Sequence, residues 1–411
     1  MNLRQAEEYL LDLELFGMRF GLDRMHKLMT ALGMPQRRFA SIHVVGTNGK
    51  SSTVRFIAGI LERHGISTGS YTSPHLASFT ERVEIGEQPV SGADSAAAVA
   101  RAAHAAELVN RTQDEGDTVT QFEALTAAAY HELARRGVEV AVIEAGLGGR
   151  YDATNVIPSR VQVLTGVGLE HTRWLGPAIA DIAEEKLAVV RDHAVLVSGN
   201  LHPDAEAVAD RVAAERHARR VHAAATSEYE LAAHGAFQRA NFALARAAAE
   251  AFLGELDEDA VRHAGAEVQV PGRMQVVSHD PLTIIDGAHN PAGAAAVAEA
   301  LPELIGDRPV VGVVGVLDDK DAAGMLRALL PRFERVVFTH SSNPRSLSPG
   351  TLESLASKLG GPPAETVADP RRALTRAQEL AGSRGAVLVT GSIYLIADIV
   401  RAESAARAST L

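Results

Sequence analysis

The sequence predicts an α/β fold in two parts. The first is an N-terminal P-loop ATPase-type domain with a mainly parallel sheet, and the second a C-terminal Rossmann-like α/β domain. Three observations lead there. Residues 42–45 form a run rich in β-branched side chains that reads as a buried strand; a glycine-bracketed turn follows, and a helical pattern begins at Lys50. Strand, glycine loop, Lys-Ser and helix in that order make a phosphate cradle. Short apolar runs then alternate with helical stretches, as parallel strands joined by right-handed crossovers do. Finally, 411 residues exceed what one core usually supports. The pattern breaks at Pro271-Gly272, and a second α/β series begins there. The division expected is 1–268, a linker at 269–272, and 273–411.

Taken in order, the chain opens with a helix and a second helix over about 22–32. The motif Phe16-Gly17-Met18-Arg19-Phe20-Gly21-Leu22 reads as a turn between them. The helix after the phosphate loop runs over about 50–64. Tyr71-Thr72-Ser73-Pro74-His75-Leu76 reads as a loop because of Pro74 and its polar neighbours. Residues 80–85 alternate like a short strand. Helices follow at 92–110 and from Thr120 to about 136. The apolar run 138–145 and the run 161–167 are buried strands, and 194–198 is a third. Helices at about 203–217, 237–253 and 256–265 complete the first part. The second part has strands at 282–285, 310–316, 335–339 and 386–390, helices between them, and a last helix from about Ser392.

Composition narrows the class. The net charge of −11 argues against broad nucleic-acid binding. The chain has no cysteine, which removes disulfides and thiolate chemistry and suits a reducing compartment. Met1-Asn2-Leu3-Arg4-Gln5-Ala6-Glu7-Glu8 does not read as a signal peptide. No stretch approaches the ~20 apolar residues that span a bilayer. A cytoplasmic enzyme, with neither membrane nor nucleic acid as partner, is the expectation.

The phosphate cradle is the strongest local signal. Gly46 and Gly49 let backbone N–H groups approach phosphate oxygens. The helix N-terminus adds partial positive charge, and Lys50 adds a full one. Two strand ends then carry chemistry. The run 138–145 ends at Glu144, before Ala145-Gly146-Leu147-Gly148-Gly149-Arg150. The run 161–167 leads into Gly168-Leu169-Glu170-His171-Thr172-Arg173-Trp174. α/β sheets put ligand and metal groups at the C-terminal ends of parallel strands. Read singly, Glu144 is a strand-end carboxylate satisfied by backbone donors, His171 a polar loop histidine, and Lys186 a helix lysine beside Glu184 and Glu185. Asp286 reads as a strand-end cap. His289 and Asn290 read as a helix start before Pro291.

In joint order and spacing the motifs resemble folylpolyglutamate synthase, often bifunctional with dihydrofolate synthase, within the Mur-ligase superfamily. The residues that carry the resemblance are Gly46-Thr47-Asn48-Gly49-Lys50, Ser73-Pro74-His75-Leu76, Glu81-Arg82, Glu144 with Gly146-Leu147-Gly148-Gly149-Arg150, Asp152-Ala153-Thr154-Asn155, His171-Thr172 with Trp174-Leu175-Gly176, and Lys186. Later come Asn241, Pro271-Gly272-Arg273, Asp286-Gly287-Ala288-His289-Asn290-Pro291, Asp319-Lys320-Asp321, Asn343-Pro344-Arg345 and Gly391-Ser392. They cover nearly the whole chain. The phosphate loop is shorter than the usual Walker pattern, as in ligases that join an amino acid to a carboxylate.

The resemblance implies transfer of the ATP γ-phosphoryl group to a substrate carboxylate, then attack by the amine of glutamate on the acyl phosphate. Lys50, Glu144, His171, Lys186 and Arg273 form the implied catalytic set. Gly46, Thr47, Asn48, Gly49, Lys50, Ser51, Ser52, Asn241, Arg273 and Asp286 would serve ATP. Two magnesium ions are implied, with Ser73, Glu144 and His171 around one of them. A hydroxyl of the phosphate loop would meet magnesium too. The general loop rule points to Ser51, the family alignment to Ser52, and the family usually has glycine where Ser51 stands. Lys186 corresponds to a lysine carbamylated in the family. Domain closure would bring Arg273, on the linker, to the γ-phosphate.

For substrates, Ser73, Pro74, His75, Gln121, Phe122, Glu123 and Asp152 lie on the implied acceptor side. His289 and Ser392 lie on the glutamate side. The resemblance implies dihydropteroate or a folate as acceptor, and a monomer. This chain departs from the family at Gln121, where phenylalanine is frequent, and at Glu170 and Arg173, where aspartate is. A ligase of the same fold acting on another acid, and a non-catalytic ATP-binding module, are the alternatives. Retention of Lys50, Glu144, His171, Lys186 and Arg273 together speaks against the module.

Overall fold

The computed structural model describes residues 1–13, 21–114, 116–225 and 227–401. Of the Phe16-to-Leu22 motif, Gly21 and Leu22 lie within that range and the rest outside it. The chain divides into two compact units. Among the described residues, one is Met1–Glu230 with Arg239–Val268; the other is Leu231–Gln238 with 269–401. A single cut near 268 therefore misses the excursion 231–238, which packs with the second unit although it precedes the break at Pro271-Gly272.

The first unit is built on eight strands: β1 (Ala40–Val45), β2 (Thr68–Tyr71), β3 (Val83–Ile85), β4 (Gln88–Pro89), β5 (Val140–Glu144), β6 (Val161–Leu164), β7 (Val195–Ser198) and β8 (Arg219–His222). Their order across the sheet is β4-β3-β2-β5-β1-β6-β7-β8. From β2 to β8 every neighbouring pair is parallel, and β3 and β4 close one edge antiparallel. β1 sits centrally, with Val44 opposite Glu144 and Val45 opposite Leu164. The ends of β5, β1 and β6 thus come out side by side. Helices cover both faces, so the central strands are buried throughout, as in other parallel sheets.

Local signals explain the helix boundaries. Thr120 accepts from the Glu123 N–H and Glu123 answers the Thr120 N–H, a capping box that starts Gln121–Arg136. Gly137, in the left-handed region at φ 68°, ends it. Ser91 caps Gly92–Asn110. One core lies under Tyr71, Tyr130, Leu133 and Ile143; a second, around Leu164, Leu187, Leu196 and Val212, packs the β6–β7 side.

The second unit is a six-stranded sheet of β9 (Gln275–His279), β10 (Leu282–Ile285), β11 (Val310–Val314), β12 (Arg335–Phe338), β13 (Ala364–Thr366) and β14 (Ala386–Thr390), in the order β13-β12-β11-β14-β10-β9. β9 is antiparallel to β10, and the other pairs are parallel. Asn290 accepts from the Gly293 N–H at 2.8 Å and Pro291 takes the first helical position, so Pro291–Ile305 starts where the sequence predicts. Ile284, Val314, Phe338 and Leu388 line the core.

Candidate active site

The cradle begins where β1 ends. Gly46 runs so close to the next loop that a Cβ built on it would lie 1.9 Å from Thr165 Oγ1. That hydroxyl donates to the Asn48 carbonyl at 2.6 Å. The Thr47 N–H bonds to the Gly166 carbonyl at 2.9 Å, and Thr47 Oγ1 accepts from the Gly168 N–H at 3.0 Å. The loop after β6 therefore braces the loop after β1. Gly49 is left-handed at φ 83°, and a Cβ there would lie 2.3 Å from Asn241 Oδ1. Helix Lys50–Arg63 then starts with its first N–H groups directed at the cradle. Lys50 Nζ donates to the Thr47 carbonyl at 3.3 Å.

Glu144 ends β5 and is 2% exposed. Ser51 Oγ donates to its Oε1 at 3.0 Å, and the Ser73 N–H donates to its Oε2 at 3.1 Å. Two segments distant from it in sequence converge on this carboxylate. Ser52 is buried in the first turn of its helix, so of the two hydroxyls the one aimed at Glu144 is that of Ser51. Hydroxyl and carboxylate oxygens suit a hard cation such as magnesium, which keeps waters and takes phosphate oxygens for its remaining positions. Among the described residues no three His, Cys, Asp or Glu side chains are grouped to hold a metal by themselves. His171 heads the short helix Thr172–Leu175 in left-handed conformation, with Nε2 3.7 Å from Glu170 Oε1.

Lys186 is 4% exposed, and its Nζ donates to the Gly46 carbonyl at 2.8 Å. Burial lowers its pKa to about 7, and the charge of Lys50 pushes the same way. Gly149 makes this possible. A Cβ there would lie 2.6 Å from the Lys186 carbonyl oxygen and 2.7 Å from that of Glu185.

The acceptor-side residues divide. Pro74 is exposed and His75 buried, its Nδ1 accepting from Arg82 Nε at 3.0 Å. Phe122 lies against Gly146, where a Cβ would meet its ring at 2.6 Å. Gln121 opens the helix Gln121–Arg136. It is fully buried, and its amide donates to the Leu10 carbonyl at 2.7 Å, joining two helices. Glu123 is likewise occupied, by Thr120 and by Arg24 Nε at 3.1 Å. Asp152 is buried; its Oδ2 accepts from the Leu147 N–H at 2.8 Å and its Oδ1 from the Thr154 N–H at 3.0 Å and the Thr154 hydroxyl. Burial raises the Asp152 pKa against those bonds. It shapes the glycine loop from within.

In the second unit the ends of β10 and β14 meet. Asp286 is buried, accepting from the Met274 N–H at 2.9 Å and the Ala288 N–H at 2.7 Å. Burial raises its pKa, opposed by the charge of Arg273. Arg273 Nη1 donates to the Gly272 carbonyl at 3.2 Å and lies 2.2 Å from where a Gly287 Cβ would stand. His289 Nδ1 is 3.1 Å from the Gly287 carbonyl oxygen. Ser392 caps Ile393–Val400 through the Tyr394 N–H at 3.1 Å. The structure thus gathers Arg273, Asp286, His289 and the head of the Ser392 helix around Gly287, against which Ile393 also packs.

Residues 272–393 match the family model described as Mur ligase, glutamate ligase domain. The whole chain is similar to a dihydrofolate synthase/folylpolyglutamate synthase of Mycobacterium tuberculosis, 36% identical over 426 residues, covering 90% of this chain and 88% of the relative. Among solved structures it is similar to M. tuberculosis folylpolyglutamate synthase complexed with ADP, at 35% identity and TM-score 0.90 over 97% of each chain. It is also similar to the bifunctional folylpolyglutamate synthase/dihydrofolate synthase of Yersinia pestis complexed with AMPPNP and Mn ion, at 31% identity and TM-score 0.85 over 97% of each chain.

Proposed function

This chain belongs to the folylpolyglutamate synthase/dihydrofolate synthase family of ATP-dependent ligases, and we propose that it adds L-glutamate to dihydropteroate, to (tetrahydro)folate polyglutamates, or to both. The observation that carries this reading is the meeting of Ser51, Ser73 and Glu144 beside the glycine cradle. There, nucleotide loop and acceptor loop share one carboxylate.

A carboxylate is a poor electrophile. An oxygen of the acceptor carboxylate attacks the γ-phosphorus of ATP, and ADP leaves. The amine of glutamate then attacks the acyl carbon and loses a proton, and the carbon–oxygen bond to phosphate breaks. Both steps concentrate negative charge, which fixed dipoles and cations stabilise. The N–H groups from Gly46 to the first turn of the helix cradle the phosphates, and Lys50 neutralises them. Ser51 and Glu144 would hold magnesium, with Ser73 and His171 as further ligands; the ion would offset phosphate charge. Ser52 is left to packing.

Lys186 has the chemistry of a carbamylated lysine. A pKa near 7 leaves much of the amine neutral at physiological pH, and the neutral amine is the form that attacks carbon dioxide. The first unit carries ATP and the acceptor, with Asn241 beside the cradle. In the second, Arg273 and Asp286 serve the nucleotide, and His289 and Ser392 the glutamate. No helix among the described residues is long and apolar enough to cross a membrane, and a cytoplasmic setting fits the family.

A second reading, a ligase of the same fold acting on another acid, draws on Gln121, Glu170 and Arg173. Arg173 is exposed and stacked 5.3 Å over Trp174. One experiment separates the readings. The protein is incubated with ATP, magnesium and glutamate, with dihydropteroate or tetrahydrofolate in turn. Phosphate release with a product heavier by one glutamyl unit supports the folate reading. Release with neither acceptor supports the other acid.

A further inference from the structure

The loop that leaves Glu144 at Ser73 is held at its far end by a second carboxylate. Glu81 Oε2 accepts from the Leu76 N–H at 2.8 Å. Its Oε1 accepts from the Ala77 N–H at 2.9 Å and the Ser78 N–H at 2.8 Å. Three successive backbone donors close on one anion, each bond charge-assisted. Ser78 completes the arrangement by capping the 3-10 turn Phe79–Arg82, on which Glu81 itself sits. The next residue fixes the loop's one ring. Arg82 Nε donates to His75 Nδ1 at 3.0 Å. Arginine has no acceptor, so Nδ1 accepts, and the neutral imidazole carries its proton on Nε2. The ring lies tilted by 50° against Phe79, with centroids 4.3 Å apart.

We propose that Glu81 is a positioning residue for the pterin-bearing acceptor. It touches no substrate; it folds Leu76–Ser78 back on themselves and so fixes where His75 and Pro74 stand. This rests on the acceptor-side reading of the loop given above. Glutamine cannot replace it. Its amide keeps one acceptor oxygen but sets an NH2 donor against a backbone N–H. Aspartate keeps the charge but withdraws it by one methylene.

The test uses full-length Glu81→Gln, with Glu81→Asp as a second variant should the first fail to fold. Hydrogen exchange of the peptide spanning 74–82 is measured together with steady-state kinetics. The proposal expects exchange at Leu76–Ser78 at least about tenfold faster, and KM for the acceptor raised about tenfold. Both follow from losing charge-assisted bonds. It expects kcat and the KM for ATP to stay within about twofold, and Glu81→Asp to fall between. Unchanged exchange overturns the proposal, and so does an equal rise in both KM values. If the wild-type protein turns over neither folate acceptor, the reading of the function fails. The exchange measurement still decides the anchoring.

Discussion

Ser51 and Ser52 are neighbours with different surroundings, and the difference is a matter of which way the first helical turn faces. Ser51 points at Glu144, while Ser52 is 2% exposed. Ser51→Ala is expected to raise the magnesium concentration needed for half-maximal activity about tenfold, the scale of one ligand or charge-assisted bond. Ser52→Ala is expected to move it by less than about twofold; a magnesium titration of both variants checks this. Lys186→Ala is expected to lose at least about a hundredfold in activity and to regain part of it with added formate or acetate. Full activity of the plain variant would rule out the carbamate. A 13C-bicarbonate NMR signal present in wild type and absent in the variant is the independent check.

Linkage gives Lys186 a second signature. Its folded pKa lies below the unfolded value of 10.5, so the unfolded chain binds the extra proton between about 7 and 10.5. Buried Lys186 therefore costs stability fully below pH 7, and the cost fades as pH rises toward 10.5. With carbon dioxide excluded, so that the amine is unmodified, Lys186→Met is expected to be more stable than wild type near pH 7, with the gap narrowing by pH 10. Thermal unfolding across that range reads it. At this scale the sequence was a partial guide. It named Glu144, Lys186 and Asp286 from their motifs, but residue type alone did not separate ligand from brace. Gln121, Glu123 and Asp152 are polar residues on the implied acceptor side, and their hydrogen bonds run to the last turn of the first helix, a helix start and a loop backbone.

Elements that carry the site were the easiest to read, because their signals are local. The helix expected over 92–110 is observed as Gly92–Asn110, with Ser91 as its cap. The strand expected over 80–85 is shorter, since Ser78 starts a 3-10 turn and β3 begins at Val83. β2, β8, β9 and β13 had no clear signal. β2 reads Thr68-Gly69-Ser70-Tyr71, and β8 is an edge strand of Arg219, Arg220, Val221 and His222. Neighbouring strands, rather than their own pattern, make them strands. The glycines of the 146–149 loop were legible as a motif but not as to purpose. Gly149 lets the loop after β5 lie on the end of the Lys186 helix, where the obstructing atoms are backbone carbonyls. Gly149→Ala is expected to cost about 1–3 kcal/mol of stability, as overpacking does, and to lower activity beyond that by displacing Lys186. Denaturant unfolding and turnover measured side by side distinguish the two effects.

At the scale of the molecule, each unit puts its candidate residues at the C-terminal ends of its parallel strands. In the first these are β5, β1 and β6; in the second, β10 and β14. The architecture was legible because alternation of strand and helix is a long-range pattern. The excursion 231–238 was not, because eight residues carry no signal of which core they join. In the proposed function the first unit's set serves the ATP phosphates and the acceptor, and the second unit's set serves further nucleotide contacts and the incoming amine. The central claim is that the Gly46–Lys50 cradle serves to activate a carboxylate by phosphorylating it. The direct measurement supplies acceptor labelled with 18O in both carboxylate oxygens, and follows the label through one turnover with ATP and glutamate. The account predicts one 18O in each phosphate released and one retained in the new amide. Unlabelled phosphate, released alongside the glutamyl product, would contradict it.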